Sequence, residues 1–207
     1  MYEFTKSQAA VANVAAKKTA RYAINGVYFD PEHKALVATD GRRIMASRIK
    51  VDIDAKPLIV GTKDIKAAAK MLNGTPQTGA ATISPDTGAD SFTAARIDGK
   101  ASMSGELIDG SYPDWTSCVP ADAPTHQIAV DADLLRDILA AMPRVEESGS
   151  RSVILGFSDP CRPLLIWPSG TGDCDMLAAL MPIAGVKSCI GEAGYQRARD
   201  RVTGKAD

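Results

Sequence analysis

The 207-residue sequence predicts an α+β protein, and three observations carry that prediction. A strand–helix–strand–strand–strand order can be read three times along the chain. Alanine-rich segments with helix-capping signals alternate with short runs of β-formers bounded by Gly, Pro, Asn and Asp. Aromatic residues make up only 5% of a chain that is 45% hydrophobic, so the core is expected to be built from Ala, Val, Ile, Leu and Met.

The first copy opens with a strand at Met1–Thr5. The segment "TKSQAAVANVAAKK" follows as a helix, with Thr5 as N-cap and Gln8 three residues later, the spacing of a capping box. "YAINGVYFD" and "ALVATD" are strands joined by a "PEHK" turn, and "RRIMASRIKV" is a strand after the Asp40-Gly41 turn. The second copy runs from "KPLIVG" through the helix "TKDIKAAAKML", capped by Thr62 and stopped at Asn73-Gly74, to the strands "ATIS", "DSFTAARID" and "ASMSGELI". The third has "HQIAV" as its first strand and "DADLLRDILAAM" as its helix, with Asp131 as N-cap and Pro143 as stop. Its last strands are "SVILGF", "PLLIW" and "DMLAALMPI". The expected boundaries are 1–55, 56–117 and 118–184 for the three copies. Residues 185–207 form a polar, basic tail with a short helix around Tyr195–Arg201. Arg197, Arg199, Arg201 and Lys205 give the tail its charge.

Composition excludes several classes. No apolar run approaches the roughly 18 residues that span a bilayer, and the N-terminus lacks a basic-then-apolar leader, so a cytoplasmic protein is expected. Cys118, Cys161, Cys174 and Cys189 form no C-x-x-C pair, and His33 and His126 are the only histidines. No zinc site and no cofactor are expected, and the cysteines are read as reduced, some of them buried as small hydrophobes. No phosphate-binding loop, nucleotide fingerprint, nucleophile elbow or zincin motif occurs. Asp52 with Asp54, and Asp173 with Asp175, are read as solvated acids, because a metal needs more converging ligands. The chain is therefore read as non-enzymatic, with an unrecognised enzyme built on an acid pair as the remote alternative.

Net charge is −1, yet the cations are unevenly placed. The first helix carries Lys6, Lys17, Lys18 and Arg21 with no acid. The second carries Lys63, Lys66 and Lys70 against Asp64, and these lysines fall on one helical face. The third is acidic, with Asp131, Asp133 and Asp137 against Arg136 and Arg144. Basic helices attract a phosphate backbone without reading bases. Alternatively, the lysines simply solvate exposed helix faces. Few aromatics accompany them, which favours duplex contact over stacking on single strands.

Three stretches carry a resemblance. "RYAINGVYFD…ALVATDGRRIMASRI" resembles the middle domain of the bacterial sliding clamp, the β subunit of DNA polymerase III, with Arg42 where that family shows histidine. "LIDGSYPDW", residues 107–115, resembles the end of the same domain. "LLIWPSGTGDCDMLAALMPI" resembles the clamp's last strands, ending in Met181-Pro182-Ile183 without the family's arginine. The resemblance spans about residues 1–184 and implies a clamp fold of three β-α-β-β-β units, helices lining a DNA-facing surface and sheets outside. It implies a processivity factor that encircles duplex DNA as a homo-oligomeric ring, is placed by a clamp loader and tethers a DNA polymerase. Rings of this family contain twelve units, so three per chain implies a homotetramer. The DNA-facing residues would be Lys6, Lys17, Lys18, Arg21, Lys63, Lys66 and Lys70. The pocket for partner peptides would comprise Ile24, Thr39, Gly41, Arg42, Arg43, Ile44, Pro113, Cys118, Ala179, Met181, Pro182 and Ile183. The alternatives are a clamp-derived adaptor or decoy that binds polymerase peptides without encircling DNA, and, for Met181–Ile183, an ordinary core strand.

Overall fold

The computed structural model describes residues 1–17, 22–72, 79–88, 90–144, 151–159, 161–169, 176–183 and 191–203. It divides into two compact units. One is Met1–Pro120 with the C-terminal part of the last helix from Ala198, and the other is Ala121–Arg197.

The first unit contains two antiparallel sheets. Strands β2 (Gly26–Asp30), β3 (Ala35–Thr39) and β4 (Ile44–Arg48) come from the first sequence copy. They are joined by β6 (Leu58–Gly61), the first strand of the second copy, in the order β4-β3-β2-β6. The other sheet reverses the exchange. Strands β7 (Ala80–Pro85), β8 (Ser91–Arg96) and β9 (Ser102–Glu106) of the second copy are joined by β1 (Tyr2–Thr5) and β5 (Lys50–Val51) of the first, in the order β5-β1-β7-β8-β9. Each copy thus lends its opening strand to the other's sheet, Tyr2 facing Ile83 and Tyr28 facing Ile59. Neither copy can complete its sheet alone.

Inward residues of both sheets meet in one core. Tyr2 and Phe4 of β1 pack edge-on against Phe29 of β2, with centroids 5.1 and 5.9 Å apart. Val27, Leu36, Val60, Ile83 and Phe92 are fully buried around them, and Ile65 and Ala68 close the core from helix α1 (Thr62–Met71). Strand β3 is buried on both faces, which explains its unbroken apolar run. Its second face, at Ala35 and Val37, is covered by Trp115, Tyr112 and Val119. Gly26 is required by the close approach of β6, because a Cβ there would lie 2.5 Å from Ile59 Cγ2 and 2.9 Å from the Val60 carbonyl oxygen.

The first helix differs from expectation. The reciprocal Thr5–Gln8 bonds form, with Thr5 N–H donating to Gln8 Oε1 at 2.7 Å and Gln8 N–H to Thr5 Oγ1 at 3.4 Å, but the N-cap position is held by Ser7 rather than Thr5. The helix that follows is a single 3-10 stretch, Gln8–Asn13, rather than an α-helix. Ala9, Val11, Ala12, Ala15 and Ala16 are all buried, Ala15 and Ala16 beyond the end of the 3-10 stretch. The Ala16 N–H leaves the helical pattern to meet the carbonyls of Ile24 and Thr39 at 3.1 and 3.2 Å. Tertiary packing thereby overrides alanine's helix preference. "YAIN" is a second 3-10 turn, Tyr22–Asn25, instead of strand. Helix α1 starts directly from β6, with Gly61 rather than Thr62 in the N-cap position, because Gly61 still pairs with Gly26.

The second unit contains α2 (Ala132–Ala141) and a three-stranded sheet of β10 (Val153–Gly156), β11 (Leu164–Pro168) and β12 (Ala178–Leu180). Asp131 caps α2 as expected, its Oδ1 accepting from Asp133 N–H at 2.8 Å and Leu134 N–H at 3.0 Å. Met142, Leu164, Ile166 and Leu180 form a small core. "HQIAV" is not a strand: among the described residues one main-chain bond, Ile183 N–H to the Ala129 carbonyl at 2.8 Å, is all that ties it to a neighbouring strand end. Helix α3 (Glu192–Thr203) extends the short helix expected in the tail. Among the described residues no helix is long and apolar enough to cross a membrane.

Candidate functional site

The Thr39–Ile44 turn joins β3 to β4, and its geometry follows from Asp40. One carboxylate oxygen accepts from the N–H groups of Arg42 and Arg43 at 3.0 and 3.1 Å, and the other accepts from Arg43 Nε at 3.0 Å. Thr39 Oγ1 donates to the Arg43 carbonyl at 2.8 Å and accepts from Gly41 N–H at 3.0 Å. Gly41 takes φ +85°, a conformation open to glycine at little cost. The Arg42 N–H first, and then the Arg43 guanidinium and N–H, hold the Asp40 carboxyl below its ordinary pKa. The two adjacent cations therefore differ. Arg43 is folded back onto the turn, whereas the exposed Arg42 side chain makes no ion pair among the described residues.

Behind the turn lies an apolar surface. Ile44 and Ala46 of β4 pack with Ala35, Val37, Tyr28, Tyr112, Trp115 and Val119 on the outer face of the sheet. Tyr28 and Tyr112 stack with centroids 4.7 Å apart and planes within 8°. Burial raises the pKa of the Tyr112 hydroxyl, with the Thr39 backbone acting in the opposite direction. The covering segment is anchored by Asp30. This buried carboxylate accepts from Trp115 Nε1 at 2.8 Å and from the N–H groups of Glu32 and His33 at 3.0 and 3.1 Å, and it lies 2.8 Å from His33 Nδ1. Asp114 then shapes the 3-10 turn Thr116–Cys118, accepting from the Thr116 hydroxyl at 2.7 Å and the Thr116 N–H at 3.0 Å. These bonds lower its pKa.

Eight of the twelve expected pocket residues fall in this unit. Ala16 N–H ties Ile24 to Thr39, Thr39 is bonded to Arg43, and Ile44 packs on the apolar cluster beside Tyr112. Ile24 itself is buried; Gly41, Arg42, Arg43, Pro113 and Cys118 are exposed. The other four lie in the second unit. Ala179 is on β12, while Met181, Pro182 and Ile183 follow that strand rather than belonging to it, and Met181 is 66% exposed. Of the expected DNA-facing cations, Lys63, Lys66 and Lys70 are exposed on α1, opposite buried Ile65 and Ala68. Lys6 and Lys17 are exposed but lie outside the 3-10 stretch, so they do not share a helix; Lys18 and Arg21 lie outside the described residues.

Sequence reasoning missed the Asp30–Trp115 bond and the stacked tyrosines. It also missed a cleft of about 600 Å³ bordered by Tyr28, Leu58, Ile108 and Tyr112. The only local signal was Asp30 at the head of a turn, a position where Asp caps backbone N–H groups. Of the cysteines, Cys118 and Cys161 are free thiols, both exposed, and Cys174 and Cys189 lie outside the described residues. Asp52 and Asp54 lie past the end of β5, not on a strand, and Asp52 meets the N-terminal ammonium at 3.4 Å; Asp173 and Asp175 are outside the described residues.

Comparison with known proteins agrees with this geometry. Residues 2–114 match the family described as DNA polymerase III beta subunit, central domain. The chain is 27% identical over 173 residues to the beta sliding clamp of Escherichia coli K12, covering 76% of this chain and 44% of that protein. It is 26% identical over 144 residues to that of Caulobacter vibrioides, covering 65% of this chain and 37% of the relative. It thus spans less than half the length of these relatives. Among solved structures, a sliding clamp from Pseudomonas aeruginosa superposes with TM-score 0.64 at 21% identity, covering 87% of this chain and 50% of that one. The DNA polymerase III subunit beta of Borrelia burgdorferi does so with TM-score 0.61 at 24% identity, covering 88% and 48%. The exchanged-strand architecture of residues 1–120 and the match across 2–114 together place this chain in the DNA polymerase III beta subunit, or sliding-clamp, family.

Proposed function

We propose that the chain is a shortened sliding clamp: a processivity factor without catalysis of its own that encircles duplex DNA as a homo-oligomeric ring. In this reading it is loaded by a clamp loader and tethers a DNA polymerase in the cytoplasm. A homotetramer supplies the twelve units of a ring. The observation that carries the reading is the first unit itself. It carries an exposed lysine face on α1 and a hydrogen-bonded turn, Thr39–Ile44, set beside an apolar surface. Lysines on α1 suit a phosphate backbone, whose attraction is independent of sequence. A turn with a fixed backbone and an apolar neighbour suits a short peptide, for which pockets are mostly apolar with a few placed polar groups. We assign the expected pocket residues to peptide docking, with Ile44 as an apolar anchor in the first unit and Met181 as one in the second; methionine adapts to different partners.

The test is topological. Protein loaded on a nicked circular plasmid should be retained through gel filtration and released once the plasmid is linearised. Equal retention on both forms, falling steeply with salt, would mean binding by charge alone and sink the encirclement. Failure to bind either form while still binding polymerase peptide would mean an adaptor instead.

A further inference from the structure

The first unit shows what an opening strand of this fold requires. β1 lies between β5, the end of its own copy, and β7, the first strand after the helix in the other copy. β6 repeats this, paired with β2 of the other copy and bridged at Val60 to Leu107 of its own. In the second unit the described residues show only half of this arrangement. The Gln127–Val130 segment meets the end of its own copy through the Ile183–Ala129 bond. Among the described residues nothing pairs with its other side, and β10 pairs only with β11.

Exposure marks the same gap. Leu155 of β10 lies opposite Ile166 of β11 and so faces the core side of the sheet. Ile166 is 0% exposed, yet Leu155 is 50% exposed. Its counterpart in the first unit, Ile83 of β7, is 0% exposed because Tyr2 of β1 lies opposite it. Helix α1 packs against the Gln8–Asn13 stretch of the other copy, whereas α2 buries no residue and leaves Leu134 55% exposed. A core stops at a sheet edge and along a helix at once, and an open apolar edge is a template for another strand.

We propose that a second copy of this chain completes the half-domain: Gln127–Val130 of each copy adds to β10 of the other, antiparallel, in an isologous pair. The register follows the first unit, where Tyr2 faces Ile83 and Phe4 faces Ala81. Ile128 then faces the partner copy's Leu155, Val130 faces its Val153, and twofold symmetry makes the contact twice. After its opening segment the half-domain runs helix, strand, strand, strand, as the second copy does from α1 to β9, which is why a like copy is the occupant that fits. The chain's own tail is the rival: Gly191 N–H donates to Gln127 Oε1 at 2.8 Å, and Gln196 Nε2 to the Ala121 carbonyl at 3.0 Å. Those bonds are with residues 121–127 and leave β10 untouched. This joint deepens the ring reading by naming one of its interfaces, but it rests on the fold alone and holds without encirclement of DNA.

The test uses the full chain without DNA. Light scattering at micromolar concentration should give an even multiple of the chain mass, and Leu155→Lys should halve it. Lysine at a half-exposed edge position leaves the fold intact, checked by an unchanged circular dichroism spectrum. Hydrogen exchange should show the Val153–Gly156 amides that point away from β11 slowed at least roughly tenfold in the wild type and released in the variant. A monomeric wild type, an assembly whose β10 amides exchange freely, or a variant of unchanged mass would overturn the proposal. Slowed β10 amides in a monomer would assign the edge to the tail and overturn it equally. Failure of plasmid retention with the assembly intact would count only against the ring.

Discussion

Trp115 Nε1 donates to Asp30 Oδ2 at 2.8 Å across 85 residues of sequence, and both groups are buried. The bond clamps the segment that ends the second copy onto the sheet of the first. Removing the indole donor leaves a buried carboxylate short of a partner. Trp115→Phe is therefore expected to cost roughly 1–3 kcal/mol, read as a lower urea midpoint. Asp30→Ala should cost more, because it also strands the Glu32 and His33 N–H groups. A midpoint unchanged in both variants would show that the segment is held by apolar contact alone.

Asp40 makes the turn sensitive to acid. Its folded pKa is depressed, first by the Arg42 N–H, so its stabilisation is fully present above the ordinary carboxylate value and is lost as pH falls through the lower folded value. The Gly41–Arg43 amide resonances should therefore hold steady from neutral pH down to about 4 and shift only below that. Asp40→Asn should abolish the acid transition. A transition that survives the substitution would assign it to another group.

Arg42 and Arg43 should separate by function. Arg43→Ala removes the Nε bond to Asp40 and should loosen the turn, seen as faster exchange at Gly41 and Arg42. Arg42→His should leave the turn unchanged and alter peptide preference instead. Equal effects on turn exchange would contradict the division of roles.

For peptide docking, Met181→Ala should weaken a glutamine-leucine-type clamp peptide by about 1–3 kcal/mol in calorimetry, as for an apolar anchor. Met181 is 66% exposed, so the fold should be indifferent to the change. Unchanged affinity would count against the assignment.

For DNA, replacing Lys63, Lys66 and Lys70 with glutamine should flatten the slope of log affinity against log salt, by roughly 0.9 for each phosphate no longer neutralised. The exposed positions of these lysines should keep the melting temperature unchanged. An unaltered slope would return them to simple solvation of the helix face.

What the residues by themselves determined was local. The Asp131 cap, the Thr5–Gln8 box, helix α1 with its lysine face and the Asp40-Gly41 turn each depend on groups a few positions apart, so their signals lie side by side in the chain. The sliding-clamp resemblance was likewise legible, in stretches that include the Thr39–Ile44 turn and the segment ending at Trp115. Tertiary structure decided what depends on distant partners. It tightened the alanine-rich first helix into a 3-10 stretch, because Ala16 N–H finds the Ile24 and Thr39 carbonyls. It exchanged β1 and β6 between copies, because each opening strand covers an edge that the other copy leaves bare. It withheld strand pairing from Gln127–Val130, whose composition matches a strand but which finds no strand partner among the described residues. A strand needs a neighbour's hydrogen bonds, and a helix supplies its own; that difference is why the capped α-helices could be read from the chain and the sheet partners could not.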